Sequence, residues 1–562
     1  MLNSVAEKNL SRVLSFGAPL VSVFLLWGVV TDPVNATKHF VLGAISISAF
    51  AVTIFFGNKL LWKNHKNIII ILILLVVASI NSVASSSGPL SQNLYGTYGR
   101  NTGFFTYLFL SLILLSGLVL REKKSFDTVI KGLLVAGVLN IVYCLWAWQV
   151  GDFIGWSNPY KTILGTFGNP NFIGAFLGII VSVIFAQIVN PGTTLKNRLI
   201  GGTLLLISLL EIRQSHAIQG VVVAAGGFAL VLFFLIRSKF KSPLVLATYT
   251  LFVFVTGAFA ILGALQKGPL TQYIYKTSVS LRGEYWQAGI NMGKDFPWTG
   301  VGMDTYGDWY RRAREESAIT LPGPNVVTNA AHNVNLDLLA FGGGPLFLTY
   351  ILILIFTTIS IFKVIIRNKT YDATFVSLSV AWICYQVQAL ISINQIGLAV
   401  WGWLLSGVVI AYEVSTRTIQ NETKERRKVG YNGQNISPQL VGGIGLVLGG
   451  LLAVPPLSAD MSWRSALQSQ SVEKVEKALA PSYLTPPNTA KYAQAVQLFE
   501  SNNLSDLAYK YAKIAVEFNS DAFDGWKLLY YISKSTAEDK ELALQNMKRL
   551  DPLHPNVLDR PQ

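Results

Sequence analysis

The sequence predicts an all-α, polytopic membrane fold of about thirteen transmembrane helices, and three observations carry that prediction. Apolar runs of about 20 residues, the length that crosses a bilayer, recur from Val13 to Leu457. Hydrophobic residues make up 51% of the 562 positions and charged residues only 13%, where a soluble domain holds about 25% charged. Lys and Arg gather in alternate loops, as they do on the cytoplasmic side of membrane proteins.

The spans run roughly Val13–Val30, Phe40–Phe56, Ile68–Val83, Thr102–Leu120, Val129–Val150, Phe172–Ile188, Leu199–Ile212, Ala217–Ile236, Leu244–Leu265, Gly343–Val364, Ala373–Ile391, Ile393–Tyr412 and Leu440–Leu457. Leu199–Ile212 is apolar but shorter than a span usually needs. The first span follows a short basic head with Lys8 and Arg12 and no small-residue cleavage site, so it reads as a retained helix.

The basic loops are Lys59/Lys63/Lys66, Arg121/Lys123/Lys124/Lys131, Lys196/Arg198, Arg237/Lys239/Lys241, Lys363/Arg367/Lys369 and Lys424/Arg426/Arg427/Lys428. The loops between carry few cations: Lys38, Arg100, Lys161 and Arg213. This alternation predicts a cytoplasmic N-terminus, with the long segment Lys267–Phe341 and the C-terminal tail outside. It also accounts for the net charge of +15, which in a soluble protein would suggest nucleic acid. Cys144 and Cys384 both fall within apolar spans and offer neither metal-ligand spacing nor a disulfide framework.

Four units follow: a membrane core over 1–457, within it a large outer loop over 266–341, a basic cytoplasmic loop over 414–438, and a polar helical tail over 459–562. In the tail, Tyr492 and Trp526 stand one tetratricopeptide period, about 34 residues, apart. Ala508, Ala515 and Ser520 lie where that repeat wants small residues and a turn. An unrelated pair of helical hairpins fits the same pattern. Two repeats are few for independent stability, so the tail is expected to lean on the large loop or on a helix at Ser471–Leu479.

The large loop is the candidate site. Long loops in compact proteins are functional or disordered, and its Trp and Tyr content argues against disorder. His332 stands at the mouth of the next span and titrates near neutrality, as a general base must; an interfacial histidine is the plainer reading. Arg282 precedes an amphipathic stretch and is either an anion clamp or an ion pair with Glu284. Arg311, Arg312 and Arg314, beside Glu315 and Glu316, read as a solvated helix face. In the outer turn Glu211-Ile-Arg213-Gln-Ser215-His216, Arg213 snorkels, pairs with Glu211, or grips an anion bidentately. Gly165-Thr-Phe-Gly168-Asn169-Pro170-Asn171 is a turn by composition and lacks the phosphate-loop pattern. No acidic pair has metal-ligand spacing, so no metal and no cofactor are expected.

Taken in order, these motifs resemble the O-antigen ligase and O-antigen polymerase superfamily, which includes lipid-linked-oligosaccharide protein O-glycosyltransferases. The matching elements are the turn Gly165–Asn171 and Arg213-Gln-Ser215 leading into a span. They continue with Arg282, Trp286, Pro297, Gly300 and Gly302, then His332-Asn333 and Leu336. The chain departs from the pattern at Asn335, at the glycine spacing of Gly342–Gly344, and at His216-Ala217, where the family has Arg-Gly. The resemblance implies a GT-C-like bacterial inner- or plasma-membrane enzyme. It would transfer a glycan from undecaprenyl diphosphate to a hydroxyl of a glycan, lipid or protein, with inversion and without a metal. His332 would be the base, and Arg282 and Arg213 would hold the diphosphate. Asn169, Asn171, Ser215, Trp286 and Asn333 would contact substrate. Membrane lipid, and a protein at the tail repeats, are the remaining expected partners; nucleic acid is not expected. A lipid-linked glycan transporter and a membrane-anchored scaffold are the rival classes.

Overall fold

The computed structural model describes residues 4–156, 158–274, 277–422 and 436–558, and every regular element among them is helical. The first nine helices are α1 Ser4–Val23, α2 Asn35–Ser85, α3 Leu90–Tyr95, α4 Phe104–Gly117, α5 Lys123–Gln149, α6 Pro170–Ile188, α7 Leu195–Gln214, α8 Ile218–Lys239 and α9 Pro243–Ala264. Short helices follow in the large loop: α10 Thr271–Ile274, α11 Thr277–Asp295, α12 Tyr306–Ala313 and α13 Ser317–Thr320. Then come α14 Val334–Arg367, α15 Ala373–Ala389, α16 Ile396–Glu422 and α17 Pro438–Ser469. The tail adds α18 Val472–Leu479, α19 Thr489–Ser501, α20 Ser505–Phe518, α21 Phe523–Tyr531 and α22 Ala537–Leu550. Lys424 and Arg426–Lys428 lie outside the described residues.

Every expected span falls on a helix, but only 8 of these helices are long and apolar enough to cross a membrane. One of the 8, α2, carries two expected spans. The chain leaves helical geometry at His65 (φ −130°, ψ 21°) and doubles back there. Near its start, His39 bonds Thr106 at 2.9 Å; just past its end, Ser86 bonds Asn93 and Val301. Both ends of α2 therefore meet the same 93–106 segment. The four expected spans that fall short lie on α1, α4, α7 and α15. The first ends at Val23 rather than near Val30. Buried Lys38 explains the early stop: its ammonium donates to the carbonyls of Val21, Ser22 and Phe24. A cation there answers the unpaired carbonyls and negative dipole end of a helix C-terminus.

Among the described residues, the basic loops collect at one end of the bundle. Glu7 accepts from the backbone of Arg121 and Glu122. Arg367 pairs with Glu413 at 3.1 Å, and Arg237 donates to the carbonyls of Ile365 and Asn368. The 93–106 segment, the large loop and the tail occupy the other end.

Small residues let α17 lie against the first arm of α2. A Cβ at Gly449 would stand 2.3 Å from the Gly43 carbonyl oxygen, so the backbones approach as closely as glycine permits. The tail boundary expected near Ala459 falls inside α17, which runs on to Ser469 and gives Trp463 and Ala466 to the tail's own core. That core also takes Val475 and Leu479 of α18, with Tyr492 and Trp526 buried in it.

Arg311, Arg312 and Arg314 do not form a solvated face. Arg311 and Arg314 both reach Asp551, at 2.8 and 2.6 Å, and Arg312 reaches Asp521 at 3.1 Å. The Arg314 and Asp551 side chains are both 0% exposed. Ser87 adds a bond to Asp521, and Ser91 one to the Pro487 carbonyl. The cations pattern like a surface helix because their counter-charges stand over 200 positions away, where local spacing shows nothing.

Candidate active site

His332 is held by the entry to α14. Asn333 is the N-cap, its side chain accepting from the backbones of Asn335 and Leu336. Asp337 reaches back one turn and accepts from the Ala331 backbone at 2.7 Å. Between these fixed points His332 takes the left-handed backbone conformation (φ 55°), uncommon for a residue with a Cβ.

The glycine motif sets the height of this turn. Gly300 (φ 62°) and Gly302 (φ 117°) lie against the break in α14 at Gly342–Gly343. Val301 and Gly302 donate to the carbonyls of Ala340 and Phe341, and Gly344 donates to that of Pro297. A Cβ at Gly300 would come within 2.3 Å of Phe341 backbone. Pro297-x-x-Gly300-x-Gly302 is thus a backbone-to-backbone seam that fixes the large loop to the helix carrying His332.

α11 supplies the other wall. The Tyr285 ring lies 5.7 Å from the imidazole at 33°. Arg282 sits one turn earlier, and Trp286 is partly buried, its indole N–H without a partner among the described residues. Glu284 does not pair with Arg282; its carboxylate accepts from Ser317 at 2.7 Å. Arg282 has no ion pair among the described residues. Burial, then the charges of Arg282 and Arg100, lower the His332 pKa to about 4. Its ring is therefore neutral at pH 7, and no hydrogen bond among the described residues occupies it. Burial also lowers the Arg282 pKa.

Arg100 was read from the sequence only as a stray cation on the outer side. In the structure it is 6% exposed, lies 3.7 Å from Asp304, and donates to the backbone and side chain of Asn329. Among the described residues its Nε and second terminal nitrogen have no hydrogen-bond partner, nor does one oxygen each of Asp304 and Asp337. Buried polar groups are rarely left so. The unmatched groups continue across the core: Asn394, bonded to Tyr107 at 3.1 Å, and Gln388, bonded to Gln219 at 2.8 Å, each keep an unpartnered amide atom. The polar run Ser392-Ile-Asn394-Gln395 between two apolar spans was the legible trace of this seam.

The remaining expected residues form a second group. Asn169 caps α6, accepting from the Asn171 backbone at 2.9 Å. Ser215 is buried in the α7–α8 turn, donating to the Ile212 carbonyl at 2.7 Å. The two turns touch, since a Cβ at Gly174 would stand 3.0 Å from the Ser215 hydroxyl. Arg213 is exposed beside them and makes no ion pair with Glu211. Arg282 and His332-Asn333 therefore come together, with Trp286 one turn on from Arg282 along α11, while Asn169, Asn171, Arg213 and Ser215 gather where the start of α6 meets the α7–α8 turn. The buried amides of Gln219 and Gln388 lie on the side of the core where the second group sits. Among the described residues, no three His, Cys, Asp or Glu side chains are grouped to hold a metal ion.

No curated protein matches the chain. Residues 203–351, which hold Arg213, Ser215, Arg282, Trp286, His332 and Asn333, match the family model described as O-antigen ligase. Over that stretch the chain is similar to the O-antigen ligase family.

Proposed function

We propose that this protein is an inverting glycosyltransferase that moves a glycan from a polyprenyl diphosphate, such as undecaprenyl diphosphate, onto an acceptor hydroxyl at the outer face of a bacterial cell membrane. The observation that carries the reading is a neutral imidazole, unbonded among the described residues, set beside Arg282, which has no ion pair there, and Arg100, which keeps two guanidinium nitrogens without a hydrogen bond. His332 takes the acceptor's hydroxyl proton as that oxygen attacks the anomeric carbon. The bond from the anomeric carbon to the diphosphate breaks, and its electron pair leaves on the diphosphate oxygen. Arg282 and Arg100 offset the charge that develops there. Arg213, at the neighbouring turn, grips the diphosphate or the first sugar from the other side, with Asn169, Asn171 and Ser215. Trp286 and Asn333 line the acceptor's approach. No metal is required, so EDTA leaves the rate unchanged. The tail, a tetratricopeptide-like unit in this reading, holds the acceptor or a protein partner.

The charges beside His332 give the reaction an order. In the empty site burial, and after it the charges of Arg282 and Arg100, hold the imidazole pKa near 4, which makes it a weak base. A bound diphosphate neutralises them, and the base strengthens as the donor arrives. The pH profile of kcat/KM for the donor reports the empty enzyme and should fall only near pH 4. The profile of kcat, which reports the loaded enzyme, should fall at a higher pH. Coincident midpoints in the two profiles would contradict the coupling.

Arg213→Gln should raise the donor KM by about tenfold, the scale of one charged hydrogen bond. Arg213→Lys should restore part of it, since an ammonium lacks the planar fork. A donor KM unchanged in Arg213→Gln removes the second group from the site. The orientation is tested by reporter fusions after Arg314 and Leu558, both expected on the outer side; a cytoplasmic signal from either would overturn the placement. The function itself is tested by giving the purified protein in nanodiscs a lipid diphosphate glycan with and without acceptor. Acceptor-dependent loss of the donor supports transfer; an unconsumed donor supports transport or scaffolding instead.

A further inference from the structure

A crevice open to solvent lies between the membrane core and the tail. One wall is Ser91, Tyr95, Tyr98 and Asn101; the other is Pro487, Asn488 and Lys491, with Ala459 of α17 closing one end. Among the described residues, two polar groups in it lack hydrogen-bond partners. The Asn101 side-chain oxygen is buried and unpaired, on a residue held at φ 54°. Lys491 is 5% exposed, and among the described residues its ammonium has only the Tyr98 ring, 5.6 Å away, and the field of Asp460. Asp460 is itself taken up by Thr31, Asp32 and Tyr98. An acceptor atom and a donor cation thus face one space that also holds two tyrosine rings. Few convergent polar groups among aromatic walls are the usual make-up of a small-ligand site.

The crevice adjoins the site already described. Asn101 follows Arg100 in sequence, and Gly96, in the crevice wall, backs onto Asp304, the partner of Arg100. Neither the core nor the tail forms the space alone.

We propose that this crevice is a carbohydrate subsite, in which one sugar ring of the acceptor lies against Tyr95 and Tyr98, its hydroxyls bonded by Asn101 and Lys491. The proposal rests on the transferase reading and narrows the acceptor to one that carries a sugar. The tail then acts as half of a binding site rather than as a remote adaptor.

The test pairs Asn101→Gly, which keeps the left-handed backbone while deleting the amide, with Lys491→Met, which keeps length without charge. Full-length protein in nanodiscs is probed by saturation-transfer NMR with methyl glycosides of glucose, galactose and glucuronic acid. Wild-type protein should saturate at least one of them, and the double variant, with an unchanged Tm, should lose that signal by about tenfold or more. In transfer assays the acceptor KM should rise by a similar factor with the donor KM unchanged. A wild type that saturates none of the three, or a folded double variant that saturates them equally, would overturn the subsite. Sugar binding of this kind in a wild type that transfers nothing would leave the subsite standing and remove the transferase reading.

Discussion

His332→Asn is expected to slow single-turnover transfer by about 10²–10⁴-fold, the usual worth of a general base, with donor binding nearly unchanged. Asparagine is the informative replacement because the position is left-handed (φ 55°), a region asparagine tolerates better than alanine. Its amide fills part of the imidazole's space but takes up no proton at neutral pH. The two arginines beside it remain, so the diphosphate should still be held. Alanine would mix the loss of the base with a backbone cost. Transfer by the asparagine variant within about threefold of wild type would remove His332 from the proton step and leave the arginines as positioning groups.

Asp551→Asn is expected to loosen the tail from the large loop by about 3–5 kcal/mol, the cost of removing one partner from a buried ion pair. One carboxylate answers both Arg311 and Arg314, with Arg314 and Asp551 fully buried, so this change strands two guanidinium groups. Amides of α12 and α22 should exchange hydrogen faster while those of α6 and α16 stay protected. Replacing all three charges together, Arg311→Met, Arg314→Met and Asp551→Leu, should recover much of the loss, because an apolar set of similar volume often replaces a buried charge cluster without penalty. Unaltered exchange in Asp551→Asn would show that the docking rests on other contacts, such as Asp460 with Thr31 and Asp32.

The helices were legible because bilayer length and loop charge are local signals. Even the hairpin within α2 showed, since Lys59, Lys63 and Lys66 mark its turn although His65 alone breaks the helix. The end of the first span did not show, because it is set by Lys38 folding back onto the carbonyls of α1. His332 and Arg282 were named from their place in the large loop and from the family resemblance, and the structure brings them to one place. Arg100 was passed over because its significance lies in long-range partners: Asp304 and Asn329 stand more than 200 positions away. The same distance hid the docking role of Arg311, Arg312 and Arg314. Tertiary pairing of charges leaves no period in a sequence; repeated apolar faces do.

The central claim is a direct displacement at the diphosphate, and the product's anomeric configuration tests it. Purified protein is given a lipid diphosphate glycan of known configuration and a hydroxyl acceptor, and the new glycosidic bond is read by proton coupling in NMR. The account predicts a glycoside of opposite configuration, formed together with free lipid diphosphate and lost in His332→Asn. A retained configuration, or a donor left intact beside its acceptor, would contradict it.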